Sequence, residues 1–389
     1  MYKIQTLNNI SIKGLERFTR DKYEVASEIG HPDAILLRSH KLSEAEIPAS
    51  VKAIGRAGAG VNNVPVARMT ELGIPVFNSP GANANAVKEL VLAALLLGSR
   101  GIVQGINYVN SLTDLSDAQA MSKLLEQEKK RFRGQEIAGK TLGVIGLGSI
   151  GSRVARMALE MGMEVLGYDP ALSVDAAWRL PSEVRKMENL QSLMAKSDFV
   201  TLHLPAIEST YHLVNTELLA AMKPDACLVN FAREEIVDSA AVAEALTNDK
   251  LRLFVTDFPT PVLIRHDKVI LMPHIGASTQ EAEDNCAVMA ANQLIDFLEN
   301  GNIVNAVNFP PLSLERSTQY RLAVVNKNVP KMLGSVLSVL ADMEINVVDM
   351  LNKSRDDIAY NLIDIESPVS EDMLASIKAI QGVINVRVL

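Results

Sequence analysis

The stretch Lys140-Thr-Leu-Gly-Val-Ile-Gly-Leu-Gly-Ser-Ile-Gly-Ser-Arg153 leads from an apolar run directly into closely spaced glycines. Gly146, Gly148 and Gly151 have GxGxxG spacing between a predicted strand and a predicted helix. Glycine at these positions permits a tight turn, close approach of a diphosphate and close helix packing, and the helix N-terminus attracts the anion. The stretch therefore predicts a dinucleotide-binding unit, in preference to a glycine-rich turn that binds no ligand.

An acidic residue ends the next predicted strand. The run Val165-Leu-Gly-Tyr-Asp169 places Asp169 18 residues after Gly151. A carboxylate at this distance binds the hydroxyls of the adenosine ribose and repels a 2′-phosphate. The sequence therefore predicts a Rossmann-type unit that binds NAD rather than NADP.

Strand-like apolar runs alternate with helical patterns on both sides of this unit. The runs are 33–38, 51–56, 74–77, 141–145, 164–168, 199–203, 227–230 and 268–271. Such alternation predicts an α/β fold with parallel sheets built from βαβ units. The polar stretch 113–139 predicts a solvated helix or loop ahead of a new strand.

A separate module is predicted beyond the paired prolines Pro310 and Pro311, because proline stops a helix and the pattern restarts after them. Predicted strands and helices then follow in the order βαββαβ. The strands are 320–325, 345–351, 358–365 and 383–389, and the helices are 332–343 and 370–380. This order predicts a small ferredoxin-like fold.

The composition excludes several classes of partner. The chain has 389 residues, of which 48% are hydrophobic and 22% charged, and its net charge is -8, so it offers no broad positive field for nucleic acid. Its two cysteines, Cys227 and Cys286, are too few for a disulfide framework and have no metal-ligand spacing. The longest apolar run, 90–98, is too short to span a bilayer, and residues 1–8 alternate like a strand rather than a signal peptide. We expect a cytoplasmic protein that binds no metal, nucleic acid or membrane.

Two side chains that carry chemistry follow predicted strands beyond the glycine motif. Arg233 follows the strand 227–230, and His274 follows the strand 268–271. The carboxyl ends of parallel strands meet at one edge of a sheet, where ligands bind. Arginine there can bind a carboxylate bidentately, and imidazole can carry a proton. Alternatively, Arg233 is paired structurally and His274 only fills a loop.

At this point the chain resembles the D-isomer-specific 2-hydroxyacid dehydrogenase family, and in particular its members that act on 3-phosphoglycerate. The matching motifs are Arg56-Ala-Gly-Ala-Gly-Val-Asn-Asn63, Asn78-Ser-Pro-Gly-Ala-Asn-Ala-Asn-Ala-Val-Lys-Glu-Leu90, the glycine motif, Asn230-Phe-Ala-Arg233 and Pro273-His-Ile-Gly-Ala-Ser-Thr279. The resemblance implies a flavodoxin-like substrate-binding domain at 1–97 and 276–310. It also implies a Rossmann domain at 98–275 and a C-terminal ACT domain at 315–389.

The resemblance implies a role for each matching residue. His274 would be the acid and base, and Arg233 would bind the substrate carboxylate. Substrate contacts are implied for Arg38, Ser39, Ala57, Gly58 and Asn83, with Arg38 at the phosphate or else in a surface salt bridge. Cofactor contacts are implied for Gly146, Gly148, Ser149, Ile150, Gly151, Asp169, His203, Leu204, Pro205, Thr210, Phe231, Ala232, Asp257 and Gly276.

The segment 255–267 departs from the family pattern, which places a glutamate between the arginine and the histidine to hold the imidazole. Here the segment contains no glutamate, and Pro261 stands where the acid belongs. Three outcomes stay open. Another acid partners His274 (Asp257, Glu234, Glu235 or Asp267), the imidazole works unpaired, or the enzyme is weak.

In the C-terminal module, Asn326, Asn328 and Asn346 resemble positions that bind a serine effector at a domain interface in this family. Lys331 replaces the usual glycine after Pro330, and the alternative is a module used only for association. The resemblance implies a homodimer or homotetramer.

The resemblance implies NAD-dependent oxidation of 3-phospho-D-glycerate to 3-phosphohydroxypyruvate, the entry to serine synthesis, as the function. One alternative is a dehydrogenase of another D-2-hydroxyacid. The other is a protein that senses NAD and amino acids with little or no catalysis.

Overall fold

The computed structural model describes residues 1–389, apart from the side chain of Asp175. The chain forms two compact units, one made of Met1–Asn83 with Gln280–Leu389 and the other of Ala84–Thr279. Each unit has its own parallel sheet.

The N-terminal part of the first unit is a five-stranded parallel sheet with the order β2-β1-β3-β4-β5. Its elements are β1 (Tyr2–Leu7), α1 (Ile12–Leu15), β2 (Tyr23–Ala26), β3 (Ala34–Leu37), β4 (Ala53–Arg56), α2 (Val66–Glu71) and β5 (Val76–Phe77). The 2-1-3-4-5 order is that of flavodoxin-like folds. The prediction of a flavodoxin-like domain is therefore confirmed.

The second unit contains a seven-stranded parallel sheet with the order β12-β11-β10-β9-β6-β7-β8. Its helices are α3 (Ala84–Ser99), α4 (Ile102–Asn110), α5 (Ala118–Glu128), α6 (Gly151–Glu160), α7 (Val174–Ala177), α8 (Leu190–Lys196), α9 (Thr216–Ala220) and α10 (Ser239–Thr247). Its strands are β6 (Thr141–Ile145), β7 (Glu164–Tyr168), β8 (Arg185–Lys186), β9 (Phe199–Leu202), β10 (Cys227–Asn230), β11 (Leu253–Thr256) and β12 (Val269–Leu271). Renumbered within the sheet, this is the Rossmann order 3-2-1-4-5-6 with a seventh strand added. The Rossmann prediction is confirmed.

Helix α3 belongs to the second unit, although the predicted boundary at residue 97 assigns most of it to the substrate-binding domain. Its side chains Val87, Val91 and Leu95 lie in one buried cluster with the core of the seven-stranded sheet. Gly98 packs so closely that an added Cβ would lie 3.0 Å from the Cys227 sulfur. Hydrophobic packing of α3 thus explains the division at residue 84.

The chain returns to the first unit through one long helix and then forms the C-terminal module. These elements are α11 (Gln280–Asn300), β13 (Tyr320–Lys327), α12 (Met332–Asp342), β14 (Val347–Arg355), β15 (Ile358–Ile365), α13 (Glu371–Ala379) and β16 (Val383–Val388). The module has the predicted order βαββαβ, and its antiparallel sheet runs β14-β15-β13-β16. The ferredoxin-like prediction is confirmed, and the ACT assignment stays a prediction.

Both faces of this antiparallel sheet are covered. Leu322, Val324 and Ile363 pack in a cluster with residues of α12 and α13. On the other face, side chains including Tyr360 and Leu362 share a core with α11 and the five-stranded sheet. The module therefore packs against the rest of the first unit, although the sequence predicts it as a separate domain at 315–389.

Lys331 begins α12 with a left-handed backbone, at φ +75°. A side chain costs about 1–2 kcal/mol in this conformation, whereas glycine adopts it freely but loses more entropy on folding. We expect Lys331→Gly to raise the free energy of unfolding by about 0.5–1 kcal/mol, measured as a higher thermal midpoint. Lys378→Gly within helical α13 should lower it instead, and a lower midpoint for Lys331→Gly would contradict the argument.

Candidate functional site

The glycine loop joins β6 to α6 and has the geometry of a diphosphate cradle. Gly146 has φ +89°, and a Cβ there would lie 2.4 Å from the His203 carbonyl oxygen. A Cβ on Gly151 would lie 1.9 Å from the Gly146 carbonyl oxygen, whereas one on Gly148 would meet nothing within 4 Å. The first and third glycines are thus needed for the turn and the packing, and the second leaves open space. These are the three roles of glycine in a dinucleotide site, so the chain fits NAD here.

Asp169 lies beside this loop at the end of β7. Its carboxylate accepts hydrogen bonds from the backbone N–H groups of Leu147 at 2.8 Å and Ala171 at 3.0 Å. These bonds fix the carboxylate next to the glycine loop and leave further lone pairs for ribose hydroxyls. The placement agrees with the role predicted for Asp169.

The segment after β9 lines the same loop. The His203 backbone N–H donates to the Ile145 carbonyl at 2.8 Å, and its Nε2 lies 3.0 Å from the Thr201 hydroxyl. Burial lowers the pKa of His203 to about 3, so the ring is neutral at physiological pH. The Thr210 hydroxyl donates to the Pro205 carbonyl at 2.6 Å and thereby closes the following turn. His203 therefore forms part of the wall beside the glycine loop.

The other predicted cofactor residues follow strand ends of the same sheet. Ser149 and Ile150 lie between the glycines and α6, and Leu204 contacts the turn at Gly146. Phe231 and Ala232 are buried after β10. The structure thus brings them to one sheet edge, and their contacts with NAD stay predictions.

Arg233 follows β10 with extended backbone, as the sequence predicts. Its guanidinium Nη1 donates to the Ala232 carbonyl at 2.6 Å, and its own carbonyl accepts from the Asn230 side chain at 2.9 Å. The backbone around Arg233 is therefore anchored by Asn230. The guanidinium retains further N–H groups that can bind a carboxylate.

His274 follows β12 at the same edge of the sheet as Arg233. β12 lies two strands from β10, so the two strands are roughly 10 Å apart. Its backbone is left-handed, at φ +57°, and its N–H donates to the Asp257 carbonyl at 3.0 Å. Left-handed residues other than glycine are uncommon and concentrate at functional sites. The imidazole is exposed, so it is accessible for proton exchange.

Asp257 is one of the predicted acid partners of His274. Its carboxylate binds the backbone that follows His274 and does not bind the imidazole. This buried carboxylate accepts hydrogen bonds from the N–H of Ile275 at 2.7 Å and of Gly276 at 2.6 Å. Glu234 lies in an exposed turn of 3-10 helix. Within the described part of its unit, the imidazole has no acid partner, and its ring contact is with Phe258.

In the first unit, Arg38 follows β3 and forms an ion pair with Glu283 of α11 at 2.7 Å. The Asn63 side chain donates to the carbonyls of Arg38 at 3.0 Å and His40 at 2.7 Å. The structure thus contains the salt bridge that was the alternative reading of Arg38. It also holds Arg38 at the carboxyl edge of the sheet, where a ligand can bind.

Arg56 is a candidate that the sequence analysis missed. It ends β4, which neighbours β3, and it pairs in register with Leu37. A Cβ on Gly58 would lie 1.6 Å from the Arg56 Nη1, so glycine makes room for this guanidinium. Burial raises the pKa of the Cys286 thiol, and the positive charges of Arg56 and Arg38 act in the opposite direction. Both arginines therefore lie near this thiol. An arginine at a strand end was the signal that could have identified it.

The predicted substrate contacts Ala57 and Gly58 have backbone N–H groups that donate within the first unit. The Ala57 N–H donates to the Leu37 carbonyl at 2.8 Å, and the Gly58 N–H donates to the Arg56 carbonyl at 2.8 Å. The substrate contacts of both residues stay predictions. Ser39 is exposed, and the buried side-chain oxygen of Asn83 has no hydrogen-bond partner among the described residues, so their predicted roles stand.

The three predicted effector residues do not meet within one chain. Val347, next to Asn346, pairs with Ile365, which pairs with Tyr320 at the start of β13. Asn326 and Asn328 lie at or beyond the other end of β13, roughly 20 Å away. Asn326 is moreover buried, and its oxygen accepts from Asn361 at 2.7 Å. A common effector site would therefore need two copies of the module.

Two features are absent from the described residues. None of their helices is long and apolar enough to cross a membrane. None of their His, Cys, Asp and Glu side chains form a group of three or more that could hold a metal ion.

A Rossmann sheet, a glycine loop with the geometry of a diphosphate cradle, and a histidine at the same sheet edge are together typical of a dinucleotide-dependent dehydrogenase. Residues 103–276 match the family of the D-isomer specific 2-hydroxyacid dehydrogenase, NAD binding domain. The chain is 32% identical to the D-3-phosphoglycerate dehydrogenase of Haemophilus influenzae, over 95% of this chain and 89% of that protein. It is 34% identical to the Escherichia coli enzyme of the same name, over 90% of this chain and 85% of that protein. The chain therefore belongs to the D-isomer specific 2-hydroxyacid dehydrogenase family.

The match confirms three predictions, namely the family, an oxidoreductase, and NAD as the cofactor. Relatives differ in length, and the chain spans 61% of the D-3-phosphoglycerate dehydrogenase of Methanocaldococcus jannaschii, with 34% identity. A solved NAD-bound 3-phosphoglycerate dehydrogenase of Entamoeba histolytica is 24% identical, with a TM-score of 0.62 over 79% of this chain and 98% of that one. The D-mandelate dehydrogenase of Rhodotorula graminis is 23% identical, with a TM-score of 0.67 over 80% and 99%. These structures show a shared fold.

Proposed function

We propose that this protein oxidises 3-phospho-D-glycerate to 3-phosphohydroxypyruvate with NAD, at the entry to serine synthesis. The choice of a phosphorylated substrate rests on two arginines at the ends of adjacent parallel strands. Arg38 follows β3, and Arg56 ends β4. Two guanidinium groups at one sheet edge match the geometry and charge of a phosphate. The names of the relatives support the same substrate.

The reaction needs a base for the substrate hydroxyl and a hydride acceptor. NAD, when bound, supplies the acceptor for the hydride that leaves C2. Neutral His274 takes the hydroxyl proton, so that the C–H bond breaks as the C2 carbonyl forms, and it returns the proton in the reverse direction. Arg233 binds the substrate carboxylate and polarises the C2 oxygen.

Glu283 favours one alternative, which is a dehydrogenase of a non-phosphorylated 2-hydroxyacid. Its carboxylate forms an ion pair with Arg38, and a phosphate would have to compete with that carboxylate for the guanidinium. The unpaired imidazole of His274 favours the other alternative, a weakly catalytic sensor. A serine effector, a homodimer or homotetramer, and a cytoplasmic location belong to the main proposal.

The test is NADH consumption with 3-phosphohydroxypyruvate, hydroxypyruvate, 2-oxoglutarate and pyruvate. We expect 3-phosphohydroxypyruvate to be the best substrate. Arg56→Leu should lower kcat/KM for it by about 10- to 100-fold, as expected for a lost charged hydrogen bond, and affect hydroxypyruvate little. Arg68→Leu, at an exposed position of α2, is the matched control.

Each alternative predicts a different result in this assay. Equal turnover of hydroxypyruvate and its phosphate would favour the non-phosphorylated acid. Measurable NADH binding without turnover of any of the four acids would favour the sensor.

A further inference from the structure

We propose that Phe258 is a positioning residue for His274, and that its ring takes the place of a carboxylate in holding the imidazole. The inference rests on the proposed function, because it assigns the orientation of the proposed acid and base. The two rings have centroids 5.0 Å apart and planes inclined at 63°. This is a favoured edge-to-face arrangement for two aromatic rings.

The backbones that carry the two rings are tied to the same sheet edge. The Phe258 N–H donates to the Thr256 hydroxyl at 3.2 Å, and that hydroxyl donates to the Asn230 carbonyl at 3.1 Å. The His274 N–H donates to the carbonyl of Asp257, the residue before Phe258. The backbone positions of both rings are therefore fixed, and side-chain rotation is the freedom that remains.

Asp257 completes the support without contacting the imidazole. Its carboxylate holds the N–H groups of Ile275 and Gly276, which keeps His274 in its left-handed conformation. An exposed imidazole on such a turn could adopt several rotamers, of which one delivers the proton to the substrate. An aromatic contact of this kind favours one rotamer by about 2- to 10-fold.

The contact makes a kinetic prediction for Phe258→Leu. We expect kcat to fall by about 3- to 10-fold with little change in the KM for NADH or the 2-oxoacid, because leucine occupies similar space without the ring. The solvent deuterium isotope effect on kcat should rise, since proton transfer becomes slower. Phe258→Tyr should restore both quantities toward wild type, which a purely space-filling role would not explain.

Tyr211→Leu is the matched control. Tyr211 stacks on His212 at 4.1 Å, and His212 is also left-handed, at φ +47°. This pair has no assigned part in proton transfer. We therefore expect Tyr211→Leu to leave kcat and the solvent deuterium isotope effect on kcat unchanged.

A measurement without turnover separates this inference from the proposed function. In protein labelled with carbon-13 at histidine Cε1, the His274 signal is the one of six that disappears in His274→Asn. We expect Phe258→Leu to shift that signal and to leave the other five in place. An unshifted signal, or failure of Phe258→Tyr to restore kcat, would overturn the positioning role. If Phe258→Leu shifts the signal but the wild-type protein turns over none of the acids, the proposed function is overturned instead.

Discussion

Replacing His274 with alanine is expected to lower kcat for 3-phosphohydroxypyruvate reduction by about 10²- to 10⁴-fold, the usual contribution of a positioned acid and base. The imidazole is exposed and follows β12, at the edge where the glycine loop and Asp257 also lie. Alanine cannot deliver a proton to the developing alkoxide. The measurement is steady-state NADH oxidation, with NADH binding followed separately by fluorescence.

The left-handed backbone of His274 requires a second variant. Asparagine tolerates φ +57° about as well as histidine does, so His274→Asn preserves the turn but cannot carry the proton. We expect both variants to bind NADH like the wild type and to share the loss in kcat. If His274→Asn kept more than about a tenth of the wild-type kcat, the imidazole would not be the acid and base.

The cofactor loop could be predicted from the sequence because its determinants are local. Gly146 needs a positive φ, Gly148 needs open space, and Gly151 needs a close approach to the turn, all within six residues. Asp169 follows the neighbouring strand, and its carboxylate accepts a hydrogen bond from the Leu147 N–H, as expected for one sheet edge. The alternation of strands and helices likewise predicted parallel sheets built from βαβ units.

The surroundings of His274 could not be predicted, because they depend on how distant segments meet. Asp257 has the charge of an acid partner, yet the fold brings the N–H groups of Ile275 and Gly276 to both of its oxygens. In the sequence, nothing distinguishes Phe258 from other apolar residues. Its contact with the imidazole exists only once β11 and β12 pair.

Pairings within the first unit were equally inaccessible. Arg38 meets Glu283 across 245 positions of sequence, so the pattern left both a phosphate ligand and a salt bridge open. The predicted effector residues Asn326 and Asn346 looked equivalent in sequence. Strand register places Asn326 near the end of β13 and Asn346 two strands away, level with the start of β13, and only the pairing of β13, β14 and β15 reveals this.

Replacing Arg321 with alanine is expected to lower the free energy of unfolding of the C-terminal module by about 3–5 kcal/mol, the cost of breaking a buried ion pair. Arg321 and Asp364 are fully buried, and their bidentate bonds measure 2.5 and 2.9 Å. The guanidinium also donates to the carbonyls of Asn300, Leu314 and Glu315 at 2.9–3.1 Å. Burial alone would raise the pKa of Asp364, but its bonds from Arg321 and Ser317 hold it below its usual value. Alanine would leave this carboxylate charged, buried and without its main partner.

The measurement is hydrogen exchange of the β13 and β15 amides in the presence of urea, which reports the stability of this module separately. Arg316→Ala is the matched control, because Arg316 donates to four backbone oxygens, where Arg321 donates to three, but is exposed. Water replaces its hydrogen bonds, so we expect a loss below about 1 kcal/mol. Exchanging both Arg321 and Asp364 for leucine should cost less than Arg321→Ala, since it removes both charges together. Equal losses for Arg316→Ala and Arg321→Ala would show that the buried pair has no special part in joining this module to α11.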